Sequence, residues 1–477
     1  MNAPPLLPVA FFFAMGIAVG KWAAPSYVSV SLCLVIYSVL FACKRSVPSL
    51  FYWLVFLFGI WRVGLACQKD TLDFPEGKSL CKVRAVVTRP PYPERWFPRV
   101  ESDRSHFYKN SFLVHVHSIY ARDDQGRTEW TQHASGVKVV SLETNLRLMR
   151  GDEVEMFGWL SPIPPPSNVG QKETLSFWES RGVSYHLLVQ PGNIVLLRRG
   201  QGGWMRNFFH GLRMRYIEFL LDHLGQEDGT FLAAILLGSR KLIDPEIEAN
   251  FRRCGVSHLL AISGFHVALV AFLFYRFIKW ACFPVPVCNL SVMAICGFYA
   301  LLTELDPPVV RAVLVIWTYL AAPLFGRKPS SLNALALAAL VVLGHSPMHL
   351  FQAGFQLSFA ASFCILRTLP HFHPQEKKKA SSWVKKMAIG GHNNLMISFA
   401  AWIGTSPLVA AHFYSICPLS PLTTLLLTPF FVLSLALGLL LLFTLIGIGW
   451  GALFLVFALH RSEERRVGKE GRCRWSP

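Results

Sequence analysis

Long apolar runs separated by short polar segments constrain this chain more strongly than any other feature of its sequence. Of its 477 residues, 53% are hydrophobic and only 16% are charged, whereas soluble domains are usually about 25% charged. The first three runs lie at 6–20, 26–42 and 49–66, and a soluble core has no use for so much apolar surface. The sequence therefore predicts a polytopic α-helical membrane protein.

Basic residues between the apolar runs predict how the chain is oriented. Lys44 and Arg45 lie between the second and third runs, and the positive-inside bias puts them in the cytoplasm. The region 67–204 then lies outside the cytoplasm. The net charge of +18 is explained either by such loop charge or by a polyanionic partner such as nucleic acid. Charge alone does not separate these two explanations.

The region 67–204 differs from the rest in its hydrophobic pattern, because short stretches within it alternate between apolar and polar residues. This period of two predicts strands, at 82–88, 111–120, 136–142, 153–160, 184–189 and 194–197. A helical stretch is predicted at 173–181. Five or six short strands with one helix favour a small β-barrel inserted between the membrane segments, with an OB-like fold as the natural candidate.

Two local features of this outer region suggest chemistry. Aromatic and basic side chains mix between 92 and 104, which suits stacking on single-stranded nucleic acid and equally suits a solvated loop. The residues concerned are Tyr92, Arg95, Trp96, Phe97, Arg99 and Arg104. Cys67 and Cys81 flank the start of the region, and in an oxidising compartment they could form a disulfide.

The most informative apolar run begins with GVSHLLAISGFHV at 255–267, because it contains His258, Ser263 and His266. Polar side chains in hydrocarbon are costly unless they face a partner, a pore or a site. The predicted topology places further polar groups of other segments at a similar depth near the outer mouth. They are Asp306, Pro308, Arg311, Gln356, Ser358 and His412. Interhelical hydrogen bonding is the simpler explanation for the set, and a functional site is the sharper one.

Several motifs, taken together and in order, resemble those of the ComEC family of competence proteins, the inner-membrane channels for DNA uptake. The resemblance rests on GVSHLLAISGFHV and the preceding LLGSRKLIDPEIEANFRRCGVSH, on DPPVVRA at 306–312, on GFQLSFAA at 354–361 and on GTSPL at 404–408. Upstream, the stretches at 151–158 and SFWESRGV at 176–183 look like the end of the family's OB-like domain. The resemblance covers roughly residues 5–450.

This resemblance implies a channel that passes single-stranded DNA across the bacterial inner (cytoplasmic) membrane during natural transformation. It implies a DNA receptor, a cytoplasmic helicase or ATPase and single-strand-binding proteins as partners, besides membrane lipid, and it is compatible with a homo-oligomer. Arg311 is then the first choice for a phosphate contact. His258 and His266 would line the path or orient their neighbours through hydrogen bonds, and Gly264 would allow either close helix approach or a local helix break. Gln356 and Ser358 would bond the strand or the backbone of a broken helix.

The implied domain order is three N-terminal transmembrane helices at 1–66, the OB-like domain at 67–204, interfacial helices at 205–240 and a channel domain at 241–460. The tail at 461–477, RSEERRVGKEGRCRWSP, looks unlike a family terminus and more like a foreign junction. Many family members carry a metallo-β-lactamase-like domain with a His-x-His-x-Asp-His motif, and this sequence contains no such motif. Ser239 and Thr424 also depart from residues frequent in the family.

Two other functions remain open on the sequence alone. Ser263 and His266, at i and i+3, share a helix face and form the minimum pair for an intramembrane hydrolase. A small-molecule or ion transporter is the other alternative. We find no G-x-x-x-x-G-K-[ST] motif, no C-x-x-C pair and no zinc-type His/Cys spacing in the sequence, so we expect no enzymatic activity, resident cofactor or metal.

Overall fold

In the computed structural model, the described residues are 5–23, 48–67, 79–96, 107–122, 128–141, 143, 146, 148–164, 178, 182–200, 203–368 and 383–445. The second apolar run at 26–42 and the tail at 461–477 lie outside them. So do Phe97, Arg99 and Arg104 of the predicted aromatic–basic segment. Of the helix predicted at 173–181, only Trp178 is described.

The chain begins with a pair of closely packed helices, α1 (Leu6–Ala23) and α2 (Pro48–Cys67). Their backbones meet at glycines, because a side chain on Gly16 would overlap the backbone of Phe56. Arg62 of α2 donates from Nη2 to the carbonyl oxygen of Gly344 at 2.6 Å. The N-terminal pair is therefore fixed to the second membrane region, since a guanidinium caps carbonyls at the end of a helix there.

The predicted barrel is confirmed. Its strands are β1 (Ser79–Trp96), β2 (Phe107–Arg122), β3 (Thr128–Ser141), β4 (Glu153–Pro162) and β5 (Val183–Arg198). They close in the order β1-β2-β3-β5-β4, with β3 and β5 parallel and the other neighbours antiparallel. A five-stranded closed barrel fits the OB-like expectation. The two strands predicted at 184–189 and 194–197 are one strand, because β5 continues through Gly192 without ending.

Alternation along the strands builds the barrel core. Val83, Ala85 and Val87 of β1 are buried, while the alternate residues Lys82 and Arg84 point outward, as a period of two requires. Cys81 belongs to this core.

Cys81 is also half of the predicted disulfide. It is a free thiol in the structure, and burial raises its pKa to about 11. Cys67 ends α2 and its side chain is not described. The pairing of the two cysteines therefore stays a prediction.

The second helical region is the larger one. It comprises α3 (Trp204–Leu237), α4 (Pro245–Arg253), α5 (Ser257–Leu260), α6 (Gly264–Trp280), α7 (Val285–Leu302), α8 (Pro307–Ala321), α9 (Ser331–His345), α10 (Ala353–Thr368), α11 (Trp383–Phe413) and α12 (Ser420–Leu445). Short 3₁₀ turns at Arg240–Leu242, Ala322–Phe325 and Pro347–Phe351 link some of them. Residues from α3, α5 to α8 and α12 share one apolar core.

Within the described residues, four segments are long and apolar enough to cross a membrane. They are Val285–Leu302, Pro307–Phe325, Gly390–Phe413 and Ser420–Leu442. Three shorter apolar helices accompany them, at Leu6–Trp22, Phe51–Val63 and Ser331–His345. Length and composition thus agree with a membrane protein.

Helix α3 joins two segments that the sequence suggested were separate, an interfacial helix at 205–224 and a short apolar stretch at 231–237. They form one helical element bent at Gly225, whose φ of 78° interrupts the helix. Trp204 is 79% exposed and Phe208 is 57% exposed, whereas Tyr216 is fully buried. The start of α3 thus presents large apolar side chains outward, which suits a helix lying at a membrane face.

The carboxylate of Glu155 on β4 contacts two cations of β1 and supports a testable prediction. Lys82 Nζ lies 2.6 Å and Arg84 Nε lies 2.8 Å from its oxygens. These hydrogen bonds, first that of Lys82 and then that of Arg84, lower the pKa of Glu155 below its ordinary 4.5. A carboxyl more acidic in the folded state stabilises that state above its ordinary pKa, and the contribution is lost as pH falls through the folded value.

We expect Glu155→Gln to lower the free energy of unfolding at pH 7 by about 0.5–1 kcal/mol, because both cations are nearly half exposed. The difference from wild type should be smaller at pH 3, because protonation of Glu155 weakens both ion pairs. Unfolding of the full chain in detergent, followed by tryptophan fluorescence at both pH values, measures this. Glu153→Gln is the matched control, since Glu153 on the same strand has no ion pair among the described residues. An effect that persists unchanged at pH 3 would contradict the electrostatic explanation.

Candidate functional site

The polar stretch at 255–267 is not a continuous helix. Helix α5 ends at Leu260, and Ala261 and Ser263 adopt extended backbone before α6 begins at Gly264. A break of this kind is tolerated at membrane depth only where protein or a cavity surrounds it. The apolar run that the sequence predicted from Gly255 is therefore discontinuous, and its break lies immediately before Gly264.

Ser263 and His266 cap the start of α6. The Ser263 backbone N–H donates to His266 Nδ1 at 3.1 Å, and Ser263 Oγ lies 3.0 Å from the same nitrogen. Because Nδ1 accepts a hydrogen bond, the proton of a neutral imidazole is on Nε2. His266 is only 2% exposed, and its Nε2 has no hydrogen-bond partner among the described residues. A buried N–H donor thus remains available next to the helix break.

His258 occupies a different environment. Its side chain is exposed although protein atoms crowd it on most sides, as for a side chain that lines a cleft. Arg240 approaches the same turn, since its Nη2 donates to the Ser257 carbonyl at 3.2 Å. His258 and Arg240 therefore place two nitrogen-bearing side chains beside short helix α5.

Arg311 lies inside the protein instead of on its surface. Asp306 precedes α8 as its N-cap residue, and Pro308 is in the first turn. Arg311 follows one turn later, is 5% exposed and donates from Nη2 to the Gly354 carbonyl of α10 at 2.9 Å. Its Nε is buried and has no partner among the described residues. Arg311 thus connects α8 to α10 from a buried position.

Gln356 connects two helices. Its Nε2 donates to the Leu350 carbonyl at 2.9 Å, and its Oε1 lies 2.8 Å from His412 Nε2 at the end of α11. Ser358, two residues further along α10, is half-buried. Gln356 therefore makes both kinds of hydrogen bond expected of a polar side chain in a membrane bundle. One joins α10 to α11, and the other satisfies a backbone carbonyl outside a helix.

The structure brings most of the predicted residues into one connected layer. Gly264 faces Ala312 of α8, where an added Cβ would lie at an ordinary 3.7 Å. Arg311, the neighbour of Ala312, reaches α10, and α10 reaches α11 through Gln356. Helix α8 therefore lies between the His266 cap and the Gln356–His412 pair. Much of this polarity is paired internally, and His266 Nε2 and Arg311 Nε are buried donors that remain unpaired in the described part of the chain.

A cavity of about 410 Å³ lies between the barrel and the second helical region. Its walls carry four basic and two acidic side chains, which leaves an excess of positive charge. They are Arg89, Lys138, Arg213, Lys241, Glu304 and Asp306. Trp178 adds an aromatic ring, with the Lys138 Nζ 5.0 Å from its centroid. Lys241 Nζ donates to Ser111 Oγ of β2 at 2.9 Å, so the two regions are joined across this cavity.

The outer face of the barrel carries a row of exposed aromatic and basic side chains across β1, β2 and β3. Lys82 pairs with Tyr120 and Tyr120 with Trp130 in the strand register. The rings of Tyr120 and Trp130 are 5.4 Å apart. The Arg84 guanidinium lies 4.3 Å from the Trp130 ring. Both rings are more than a third exposed, so they are accessible for stacking.

This row was not predicted from the sequence. Tyr120 and Trp130 are ten residues apart, and only the pairing of β2 with β3 makes them neighbours. The aromatic–basic segment that the sequence did single out includes Tyr92, Arg95 and Trp96 at the end of β1, whose side chains are not described. The alternating pattern of β2 was the available signal, because Tyr120 falls on its outward face.

Comparison with known proteins identifies relatives of the second helical region. A family model described as "Competence: Competence protein" matches residues 235–461. The chain is 32% identical over 221 residues to ComE operon protein 3 of Bacillus subtilis (strain 168), which covers 46% of this chain and 27% of that protein. It is 33% identical over 147 residues to competence protein ComA of Neisseria gonorrhoeae, covering 28% and 21%.

A third relative is an uncharacterized protein of Aquifex aeolicus (strain VF5), 31% identical over 213 residues. That match covers 44% of this chain and 47% of the relative. The matched part of the chain therefore spans less than half the length of each of these relatives.

Two glycines of the polar stretch should differ sharply in their tolerance of a side chain. Gly255 has a φ of +71°, and its Cβ would lie 2.7 Å from Cys417 Cβ. Gly264→Ala meets only the ordinary contact with Ala312. We expect Gly255→Ala to destabilise the fold by about 1–2 kcal/mol from backbone strain alone, with the steric overlap adding to it, and Gly264→Ala to be neutral. Thermal unfolding of both variants in detergent measures this. Equal melting temperatures would contradict the left-handed backbone of Gly255 and its close approach to Cys417.

Proposed function

We propose that this chain, which belongs to the ComEC family of competence proteins, passes single-stranded DNA across the bacterial cytoplasmic membrane during natural transformation. The competence relatives support a role in DNA uptake for transformation. Passage of single-stranded DNA requires a surface that binds a flexible polyanion, a route from that surface to the membrane, and polar groups within the helical bundle.

The observation that carries the proposal is the outer row of the barrel, Tyr120, Trp130, Lys82 and Arg84. Proteins that bind single strands without sequence preference combine stacking rings with cations that follow the backbone. Both components occur here on adjacent strands, and both face outward. Glu155 partly neutralises the two cations, so we expect moderate and salt-dependent binding.

From this row the strand can follow β1 to the cavity. Lys82 and Arg89 are seven residues apart on β1, which corresponds to about 23 Å at roughly 3.3 Å per residue. Arg89 lines the cavity together with Lys138 and Lys241. The basic groups of the cavity then offer phosphate contacts at the junction with the membrane half. Trp178 offers a further stacking surface.

Within the membrane half we propose that the path passes the layer formed by α6, α8 and α10. His266 Nε2 and Arg311 Nε are buried donors without acceptors in the described residues. Leaving a donor unpaired at low dielectric costs roughly 1–3 kcal/mol, and phosphate oxygens of a passing strand would offset that cost. His258 lies beside this layer and is accessible. A cytoplasmic ATPase partner would supply the energy for directional movement.

Two substitutions separate stacking from phosphate contact. Trp130→Ala should weaken binding of a labelled oligothymidine by about 1–3 kcal/mol without changing the salt dependence. Lys138→Gln should weaken it and also reduce the slope of log K against log salt by roughly 0.7, the value for one lost single-strand phosphate contact.

Fluorescence anisotropy of the full chain in detergent between about 50 and 200 mM salt measures both quantities. Trp159→Ala is the matched control, because Trp159 is 44% exposed on β4 and lies outside the row. If all three variants bind like wild type, the barrel face does not receive the strand.

A second function has one observation in its favour, the 3.0 Å contact between Ser263 Oγ and His266 Nδ1. A nucleophilic serine needs such a base. The base in turn needs a group that orients it, and His266 Nε2 has no partner among the described residues. Nδ1 also accepts the Ser263 backbone N–H, as a helix cap does. The arrangement therefore favours capping over hydrolysis.

Ser263→Ala distinguishes the two functions. As a cap residue, Ser263 contributes about 0.5–2 kcal/mol to stability, so we expect less protein in the membrane and entry of labelled DNA reduced in proportion. Ser263→Thr keeps a hydroxyl and should restore both. The assay is uptake into the cytoplasm of cells that lack the native protein and carry each variant. Loss of a hydrolytic activity with unchanged DNA entry would overturn the channel proposal, as would normal DNA entry in cells without the protein.

A further inference from the structure

Two histidines on the outer face of the barrel form a pair that neither the fold nor the proposed DNA path accounts for. His115 and His117 of β2 flank Val116, which is fully buried in the core. Both imidazoles are exposed. His117 lies at a bulge of β2, because the register shifts between Val116 and Ser118 against both β1 and β3. Their ring centroids are 5.5 Å apart with an interplanar angle of 75°.

We propose that His115 and His117 bind one divalent transition-metal ion of the class that prefers imidazole, namely Cu²⁺, Ni²⁺ or Zn²⁺. Metal–nitrogen bonds to imidazole are about 2.0–2.1 Å long. Two imidazoles on one ion in near-tetrahedral arrangement then have ring centroids about 5 Å apart. The observed 5.5 Å between the centroids is close to this distance. Water completes the coordination.

The surroundings leave room for the ion. His115 pairs with Gly136 of β3 on one side, and a glycine has no side chain to cover the imidazole. A larger residue could not replace it, because a Cβ on Gly136 would overlap the Gly182 carbonyl oxygen. On the other side His115 pairs with Val86 of β1, which brings no competing ligand or charge.

Both imidazoles are available to an ion. Neither has a hydrogen-bond partner in the described part of the chain, and their ring contact there is with each other. Metal binds the neutral form of imidazole. The pair offers two ligands, fewer than the three or four of resident zinc sites, so the ion should exchange readily.

The position of the pair gives the ion a second role, phosphate binding, which rests on the proposed DNA path. The pair lies on β2 between the Tyr120 end and the Ser111 end, midway along the outer face. An ion held by two histidines keeps open coordination positions, and phosphate oxygens are acceptable ligands for them. Metal binding itself does not depend on this role, so the two claims can fail separately.

The test uses the full chain in detergent, stripped of metal with a chelator and titrated with Ni²⁺ in the absence of DNA. The variants are His115→Gln, His117→Gln and the double substitution. His345→Gln is the control, because His345 is an exposed histidine outside the barrel, at the end of α9. Isothermal titration at pH 7.5 gives stoichiometry and affinity. Circular dichroism verifies that each variant is folded.

We expect wild type and the His345 control to bind one more equivalent of Ni²⁺ than the double variant. Each single variant should bind that equivalent at least tenfold more weakly, in line with the roughly 10–100-fold effects of losing metal-site partners. Affinity should follow the order Cu²⁺ above Ni²⁺. Equal Ni²⁺ binding by wild type and the folded double variant would overturn the site. Repeating the oligothymidine titration with and without Ni²⁺ then tests the phosphate role alone.

Discussion

The turn between α4 and α5, just ahead of the helix break at 261–263, is held by hydrogen bonds from a distant part of the chain. Backbone groups freed from a helix at membrane depth need partners. The start of α12 provides them: Ser420 Oγ donates to the Gly255 carbonyl at 2.8 Å, and Thr423 Oγ1 donates to the Cys254 carbonyl at 3.0 Å. These bonds fix the point at which the polar stretch begins.

The same constraint explains why the polar layer is so largely self-paired. Each polar side chain in an apolar bundle either finds a partner or raises the free energy of the fold. Gln356 satisfies both ends of its amide, and Ser263 and His266 satisfy each other. The unpaired atoms, His266 Nε2 and Arg311 Nε, lie on the elements that flank the break. Most buried polar atoms in folded proteins have partners, so these two donors differ from the paired groups around them.

The sequence predicted the barrel because alternation is a local property, and β1 to β4 lie where the pattern put them. Four of the predicted membrane spans are long and apolar enough to cross a membrane, and these were predictable from length and hydropathy. What the sequence could not predict was proximity. The Tyr120–Trp130 row, the His115–Gly136 pairing and the cavity shared by Lys138 and Arg213 arise from strand register and domain contact. For Arg311, the sequence predicted a position near the outer mouth but not its burial. The burial follows from packing against α10.

The turn between α7 and α8 links the barrel side of the molecule to the membrane layer. Glu304 and Leu305 both have φ near +57°, a conformation that costs non-glycine residues free energy. The turn is held by α3, since His210 Nδ1 lies 2.8 Å from Glu304 Oε1. Arg213 of the same helix approaches the Leu302 carbonyl at 3.4 Å.

Helix α3 begins directly after the barrel, and Arg311 lies in the first turns of α8. The turn at Glu304 and Leu305 thus connects α3, on the barrel side of the molecule, with the helix that carries the buried arginine.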